Sequence, residues 1–249
     1  MAGITEQGEA RRLFPVPFRL IEAAQQFKKW QWITVRVRKS HDDHRPESHR
    51  IYVDELDCSG EPLATDNQWA ARRPWLERFP SFDSVAAAEE SREKTGITLA
   101  LVRPKRIVRL EITPARNPHW TPDERAKLIQ EQMQESLFGQ SEAEKDVRAL
   151  RKVPFDFHYV YVCETAEGEV EERHKIVDWE TGALYWNCQH GHGKNWEAPF
   201  RARLEQTLPE ADLMFLMGTI HRFPDQWLIV SLIYPPKRTP GQLAQPSLF

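Results

Sequence analysis

Leu213-Met214-Phe215-Leu216-Met217-Gly218 and Trp227-Leu228-Ile229-Val230-Ser231-Leu232-Ile233-Tyr234 are two long apolar runs of strand length. Apolar residues at successive positions, with no polar face, belong in the interior of a sheet. The loop His221-Arg222-Phe223-Pro224-Asp225 between them predicts a hairpin. Working upstream, Phe155–Cys163 alternates as a strand, Gly168 marks a turn and Val170–Val177 returns. Asp178 is placed to cap a short helix through Leu184, Tyr185 and Trp186. Gly191 and Gly193 then predict a loop, and Trp196–Leu208 a second helix stopped near Pro209. Residues 151–236 thus read as a β-β-α-α-β-β unit of α+β class, with the apolar strands central.

Residues 1–112 read as a mainly β, barrel-like unit, by analogy of the PUA kind. Trp30-Gln31-Trp32-Ile33-Thr34-Val35-Arg36-Val37-Arg38 predicts a strand. Ile33, Val35 and Val37 form its core face; Trp32, Thr34, Arg36 and Arg38 form the other. Ser84–Thr95 predicts a helix capped by Ser84 and stopped by Gly96. Trp69–Arg78 reads as a short aromatic and arginine-rich helix or turn, and Arg106–Ile112 as a closing strand. Residues 113–150 read as a helical linker, in which Pro114, Pro118 and Pro122 break structure before a helix over Asp123–Leu137. Residues 237–249 read as a tail.

The chain has 249 residues, 40% hydrophobic, with a formal charge of -3. No stretch approaches a membrane span, and the first residues lack the apolar core of a signal peptide. Cys58, Cys163 and Cys188 are scattered and odd in number, which fits a reducing cytoplasm better than a disulfide framework. The near-neutral charge argues against non-specific duplex binding by the whole molecule. The first fifty residues differ: ten Lys and Arg stand against six Asp and Glu, a balance of +4. Interleaved with Phe18 and Phe27, the residues Trp30, Trp32, Arg36 and Arg38 have the composition of a surface that stacks bases and pairs phosphates.

Two other clusters have the residue types of a metal-dependent hydrolase. Asp178 and Glu180 lie two apart with His174 nearby, as carboxylates holding a divalent cation would. Cys188, His190 and His192 offer thiolate and imidazole ligands. Neither cluster forms a complete motif: no H-E-x-x-H and no paired C-x-x-C is present. For each, the structural alternatives are a helix cap with an exposed acid, and a surface glycine loop.

The final five residues, Gln245-Pro246-Ser247-Leu248-Phe249, resemble the pentapeptide by which many bacterial replication and repair proteins dock on the DNA polymerase sliding clamp. Gln245 would make polar contacts while Leu248 and Phe249 fill an apolar groove. Tyr234-Pro235-Pro236-Lys237-Arg238-Thr239-Pro240-Gly241 precedes it as a stiff spacer. A second match, Gln134-Glu135-Ser136-Leu137-Phe138, falls in the linker, where Met133 and Leu137 at helical spacing read first as a packing stripe and only second as a docking peptide.

Longer motifs run through both units: Leu13-Phe14-Pro15-Val16-Pro17-Phe18-Arg19, Phe27-Lys28-Lys29-Trp30-Gln31-Trp32-Ile33 and Arg45-Pro46-Glu47-Ser48. Further on come Val177-Asp178-Trp179-Glu180, Phe215-Leu216-Met217-Gly218-Thr219 and Ile233-Tyr234-Pro235-Pro236-Lys237. In these the chain is similar to a family of conserved prokaryotic hypothetical proteins. The resemblance implies two units and assigns no activity. It also implies a strand preceding Ala2-Gly3-Ile4 in relatives, so either an incomplete first barrel or a misassigned start is expected.

The expectation is a cytoplasmic accessory protein of DNA replication, repair or genome defence, recruited to the sliding clamp by its tail. A metal-dependent nucleic-acid hydrolase and a reader of nucleic acid or modified bases are the alternatives.

Overall fold

The computed structural model describes residues 1–14, 16, 26–52, 55–126 and 151–238. It is an α+β protein whose contacts separate two units. The first is Met1–Leu63 with Thr113–Asp156, and the second Ala64–Ile112 with Phe157–Phe249.

The first unit holds β1 (Ala2–Ile4), β2 (Ala10–Leu13), β3 (Val37–Lys39) and β4 (Ser48–Ile51) in a sheet of order β1-β2-β4-β3. The sheet stays open, so the expected barrel does not close among the described residues. Closure needs strands long enough to tilt and stagger, and these have three or four residues each.

The expected strand Trp30–Arg38 is interrupted. Trp30 is left-handed at φ 68, and Gln31 and Thr34 make only isolated bridges, to Pro62 and Asp57. The Gln31 side chain accounts for the break. Its Nε2 donates to the carbonyls of Cys58 and Gly60 at 2.5 and 2.6 Å, and its Oε1 accepts from the Lys28 amide at 2.6 Å. These bonds compete with a regular ladder. The alternation of burial survives: Ile33 and Val35 pack with Phe27, Leu56, Val16 and Cys58. Val37, on the edge strand β3, is exposed.

Beside this core lies a charged network. Asp43 accepts from Arg45 Nε at 2.8 Å and Nη2 at 2.5 Å, and from the Ser48 hydroxyl at 2.7 Å. Desolvation pushes the Asp43 carboxyl up, but these hydrogen bonds outweigh it and hold the group well below the usual carboxylate range. Burial, with Arg45 nearby, lowers Arg12 to about 10.

Residues 113–126 begin the connector. Thr121 and Glu124 form a capping box, each side chain accepting from the other's amide, at 3.2 and 2.9 Å. Pro122 therefore opens a helical turn over 122–126 rather than breaking one. The remainder of the expected linker helix, with the pentapeptide at 134–138, lies outside the described residues, as does the tail pentapeptide at 245–249.

The second unit is built on a seven-stranded sheet of order β5-β6-β10-β11-β9-β8-β7. Its strands are β5 (Ser81–Phe82), β6 (Leu99–Val102), β7 (Arg106–Pro114), β8 (Phe155–Thr165), β9 (Gly168–Ile176), β10 (Met214–Ile220) and β11 (Phe223–Ile233). The apolar pair β10 and β11 is central, as the sequence indicates. Residues 81–112, read from sequence with the first unit, belong to this sheet. All four residues of β6 are buried, and the strand finds partners on both sides, parallel to β5 and antiparallel to β10.

The turn between β10 and β11 is tighter than expected. It holds only His221 and Arg222, and Pro224 falls where the register shifts between Thr219–Trp227 and Ile220–Phe223. A proline without an amide hydrogen is tolerated at such an irregularity.

The sheet also curls. Two strands separate β8 from β10, which in a flat sheet means about 14 Å. Yet the Tyr159 and Tyr161 rings lie 5.6 and 4.9 Å from Phe215. The seam is between β11 and β9, which share a single bridge, Ile229 to Ile176. On the far side, Lys105–Glu164, Lys105–Glu169, Arg109–Glu111 and Arg173–Glu111 pairs mark a solvated face. Such exposed pairs stabilise little individually.

Helices α1 (Asp66–Trp69) and α2 (Arg73–Leu76) are single turns; α3 (Val85–Thr95), α4 (Trp179–His192) and α5 (Glu197–Arg201) follow. The sequence signals hold for α3: the Ser84 hydroxyl accepts from the Ala87 amide at 3.1 Å, and Gly96 closes the helix at φ 79. The cap contributes about 1 kcal/mol. After α5 the chain widens into a π turn (Ala202–Thr207) whose Leu204 carbonyl accepts from the Tyr159 hydroxyl at 2.7 Å. Phe157 packs 4.7 Å from Phe200, and Tyr185 4.8 Å from Trp196. These rings fix α4 and α5 on the sheet.

Candidate functional site

In the first unit the structure assembles part of the expected basic–aromatic face. β3 and β4 are antiparallel with Val37 opposite Ile51, and the Tyr52 amide donates to the Arg36 carbonyl at 2.9 Å. This brings the Arg36 guanidinium 4.8 Å from the centre of the Tyr52 ring and that of Arg38 to 6.0 Å. Arg36 also pairs with Glu55 at 3.1 Å. Trp30 and Trp32 are half-buried and precede the regular strand. Tyr52, which sequence reasoning missed, supplies the exposed ring. Only the cross-strand register could have revealed it.

Asp178 and Glu180 do not converge. Asp178 is buried and caps α4, its Oδ1 accepting from the Glu180 amide at 3.3 Å, while its Oδ2 lies 3.5 Å from the Thr181 hydroxyl. The carboxylate serves the helix terminus, where negative charge is favoured.

His190-Gly191-His192 is the last turn of α4 and not a loop. Thr181, Tyr185 and Cys188 recur at helical spacing and are buried. Their packing carries the helix through Gly191, whose conformational cost is about 1 kcal/mol. Gly193, at φ 55, ends it. Residues two apart on a helix point about 200° from each other, so Cys188 turns inward while His190 is exposed. Burial raises the Cys188 thiol above its ordinary value. Among the described residues, no three His, Cys, Asp or Glu side chains come together in a way that could hold a metal ion.

A polar pair that the sequence did not indicate lies between β8 and β9. The Tyr161 hydroxyl is 2.9 Å from His174 Nδ1. Desolvation, then the neighbouring His158, lowers His174 to about 4, so at neutral pH the imidazole is uncharged. Burial raises the Tyr161 phenol, pushes the Cys163 thiol to about 11 and raises the Glu172 carboxyl. Tyr161, Cys163 and His174 are thus held in their neutral forms at neutral pH, the opposite of an activated nucleophile.

These features define an α+β protein of two units, with a cationic face in the first and a polar, uncharged interior pair in the second. The chain belongs to the family described as a domain of unknown function, DUF8757, whose model covers residues 78–249. Residues 1–78 match a second domain of unknown function, DUF8758. No curated protein and no solved structure matches the chain. No helix among the described residues is long and apolar enough to cross a membrane.

Proposed function

We propose that the chain is a cytoplasmic accessory protein of DNA metabolism, recruited to the polymerase sliding clamp through Gln245, Leu248 and Phe249. The observation that carries this reading is the pentapeptide behind a proline-rich spacer. β11 ends at Ile233, and Pro236, Lys237 and Arg238 are exposed as the chain leaves the sheet. A peptide reached this way could lie extended in a groove, its amide and two apolar side chains supplying specificity. A synthetic peptide of residues 237–249 should compete with the whole protein for a bacterial clamp. A peptide that leaves the bound protein in place removes the reading.

A second reading, of a nucleic-acid reader, is favoured by the convergence of Arg36 and Arg38 on Tyr52. Two guanidinium groups beside an exposed ring combine phosphate pairing with stacking. Affinity for single-stranded DNA should fall with salt, and Arg38→Ala should flatten the log–log slope by about one. Binding indifferent to salt, or a slope unchanged by the substitution, counts against this face.

A further inference from the structure

Three arginines from distant parts of the second unit meet in one cavity. Arg73 comes from α2, Arg103 directly follows β6, and Arg238 lies beyond β11. With Glu77, Ser81 and Leu101 they line a space of about 220 Å³. Asp212 accepts from Arg103 Nη1 at 2.6 Å and lies 3.5 Å from Arg73 Nη1. Arg73 Nε donates to the Gln68 carbonyl at 2.8 Å, its Nη2 donates to the Pro236 carbonyl, and Arg238 pairs with Glu77.

Three guanidinium charges thus stand against two carboxylates, leaving the site at +1. The carboxylates also orient the arginines. Each guanidinium has five N–H donors in a rigid fork. Arg103 commits one guanidinium nitrogen to Asp212, and its other guanidinium nitrogens have no protein partner among the described residues. Forks held in advance and still carrying donors are suited to an oxyanion. Arginines drawn from three segments match a tetrahedral group better than a planar carboxylate, which one fork satisfies.

An aromatic pair flanks the two segments that Arg73 holds, outside the lining of the cavity itself. Trp69 and Tyr234 lie 6.2 Å apart, with Arg72 4.8 Å over the first ring and Arg203 5.4 Å over the second. The carbonyls that Arg73 binds belong to Gln68, next to Trp69, and to Pro236, two residues after Tyr234. Asn67, Gln68 and Trp69 are all left-handed, at φ 47, 56 and 66. This conformation costs about 1–2 kcal/mol per residue and persists only where surrounding contacts hold it. Arg73 therefore links the cavity to the turn that presents Trp69. The cavity is smaller than the roughly 300–1,000 Å³ of drug-sized sites, so it admits a phosphate and leaves a base outside.

We propose that Arg73, Arg103 and Arg238 form a phosphate-binding site for a single nucleotide, free or at the end of a strand. This does not rest on the clamp reading, which uses other residues. Calorimetry with the full chain should show a nucleoside 5′-monophosphate binding and the unphosphorylated nucleoside failing to bind. Arg103→Gln and Arg238→Gln, at partly exposed positions, should each weaken binding about tenfold or more while melting like the parent. A short single strand with a 5′-phosphate that binds as tightly as the mononucleotide assigns the site to strand ends. A mononucleotide that binds alone assigns it to free nucleotide. No binding of either phosphorylated probe at about 10 mM, or binding that survives both substitutions, overturns the proposal.

Discussion

Phe215→Ala should destabilise the second unit by about 3–5 kcal/mol, the range for truncating a fully buried aromatic. Phe215 has no exposed surface and sits on central strand β10. It stacks on Tyr159, with ring planes 18° apart, and meets Tyr161 edge-on. Those tyrosines come from β8, across the seam where β11 and β9 share one bridge. The substitution thus removes buried area and also the ring against which the curled half of the sheet packs. Urea unfolding of parent and variant measures it, with Phe223→Ala as the control, because that ring is 54% exposed. The control should change stability by about 0.5 kcal/mol or less. A loss below about 1 kcal/mol for Phe215→Ala would mean that the sheet does not curl onto this ring.

The second large effect is a loss of stability in acid that belongs to His174. Its folded value of about 4 lies below the ordinary 6.5 because burial, and then His158, disfavour the cation. Between those values the unfolded chain binds more protons than the folded one, so stability falls as pH drops from about 6.5 toward 4. The integrated loss is roughly 3 kcal/mol by pH 4. Asp43, whose carboxyl is depressed, adds loss at lower pH. Glu172, whose carboxyl is raised, acts in the opposite direction. Comparison with His174→Gln isolates the histidine, because a glutamine amide can hydrogen-bond the Tyr161 hydroxyl in either direction and does not titrate. Parallel stability curves for the two proteins between pH 7 and 4 would contradict the buried neutral imidazole.

What the sequence made legible was mostly local. Ser84 and Gly96 bound α3 because a hydroxyl cap and a left-handed glycine act within one turn. Gly168, at φ 121, turns β8 into β9, and Asp178 starts α4. The apolar runs that became β10 and β11 could only be central. Misplaced features depended on contacts distant in sequence. Gly191 looked like a loop because the buried stripe of Thr181, Tyr185 and Cys188 outweighs glycine's cost only once there is a sheet to pack against. β6 joined the second unit because its four buried residues needed β10, more than a hundred positions away.

The candidate sites divide in the same way. Asp178 with Glu180, and Cys188 with His190, are close in sequence yet turned to separate tasks by helix geometry. Arg36 and Arg38 stayed together because β3 holds Arg38 just past Arg36, but their aromatic partner Tyr52 comes from across the strand pair. The Tyr161–His174 pair and the arginine cavity have no local signature. Three segments had to fold before Arg73, Arg103 and Arg238 shared a space.

The most direct measurement is calorimetric titration of a bacterial sliding clamp with the full chain and with a Leu248→Ala, Phe249→Ala variant. Recruitment through the tail is expected to give a dissociation constant on the order of 1 µM, about −8 kcal/mol, for the parent. The variant should bind at least about tenfold more weakly, with its unfolding unchanged. No heat of binding from the parent at about 100 µM, or equal affinity for both proteins, would contradict it.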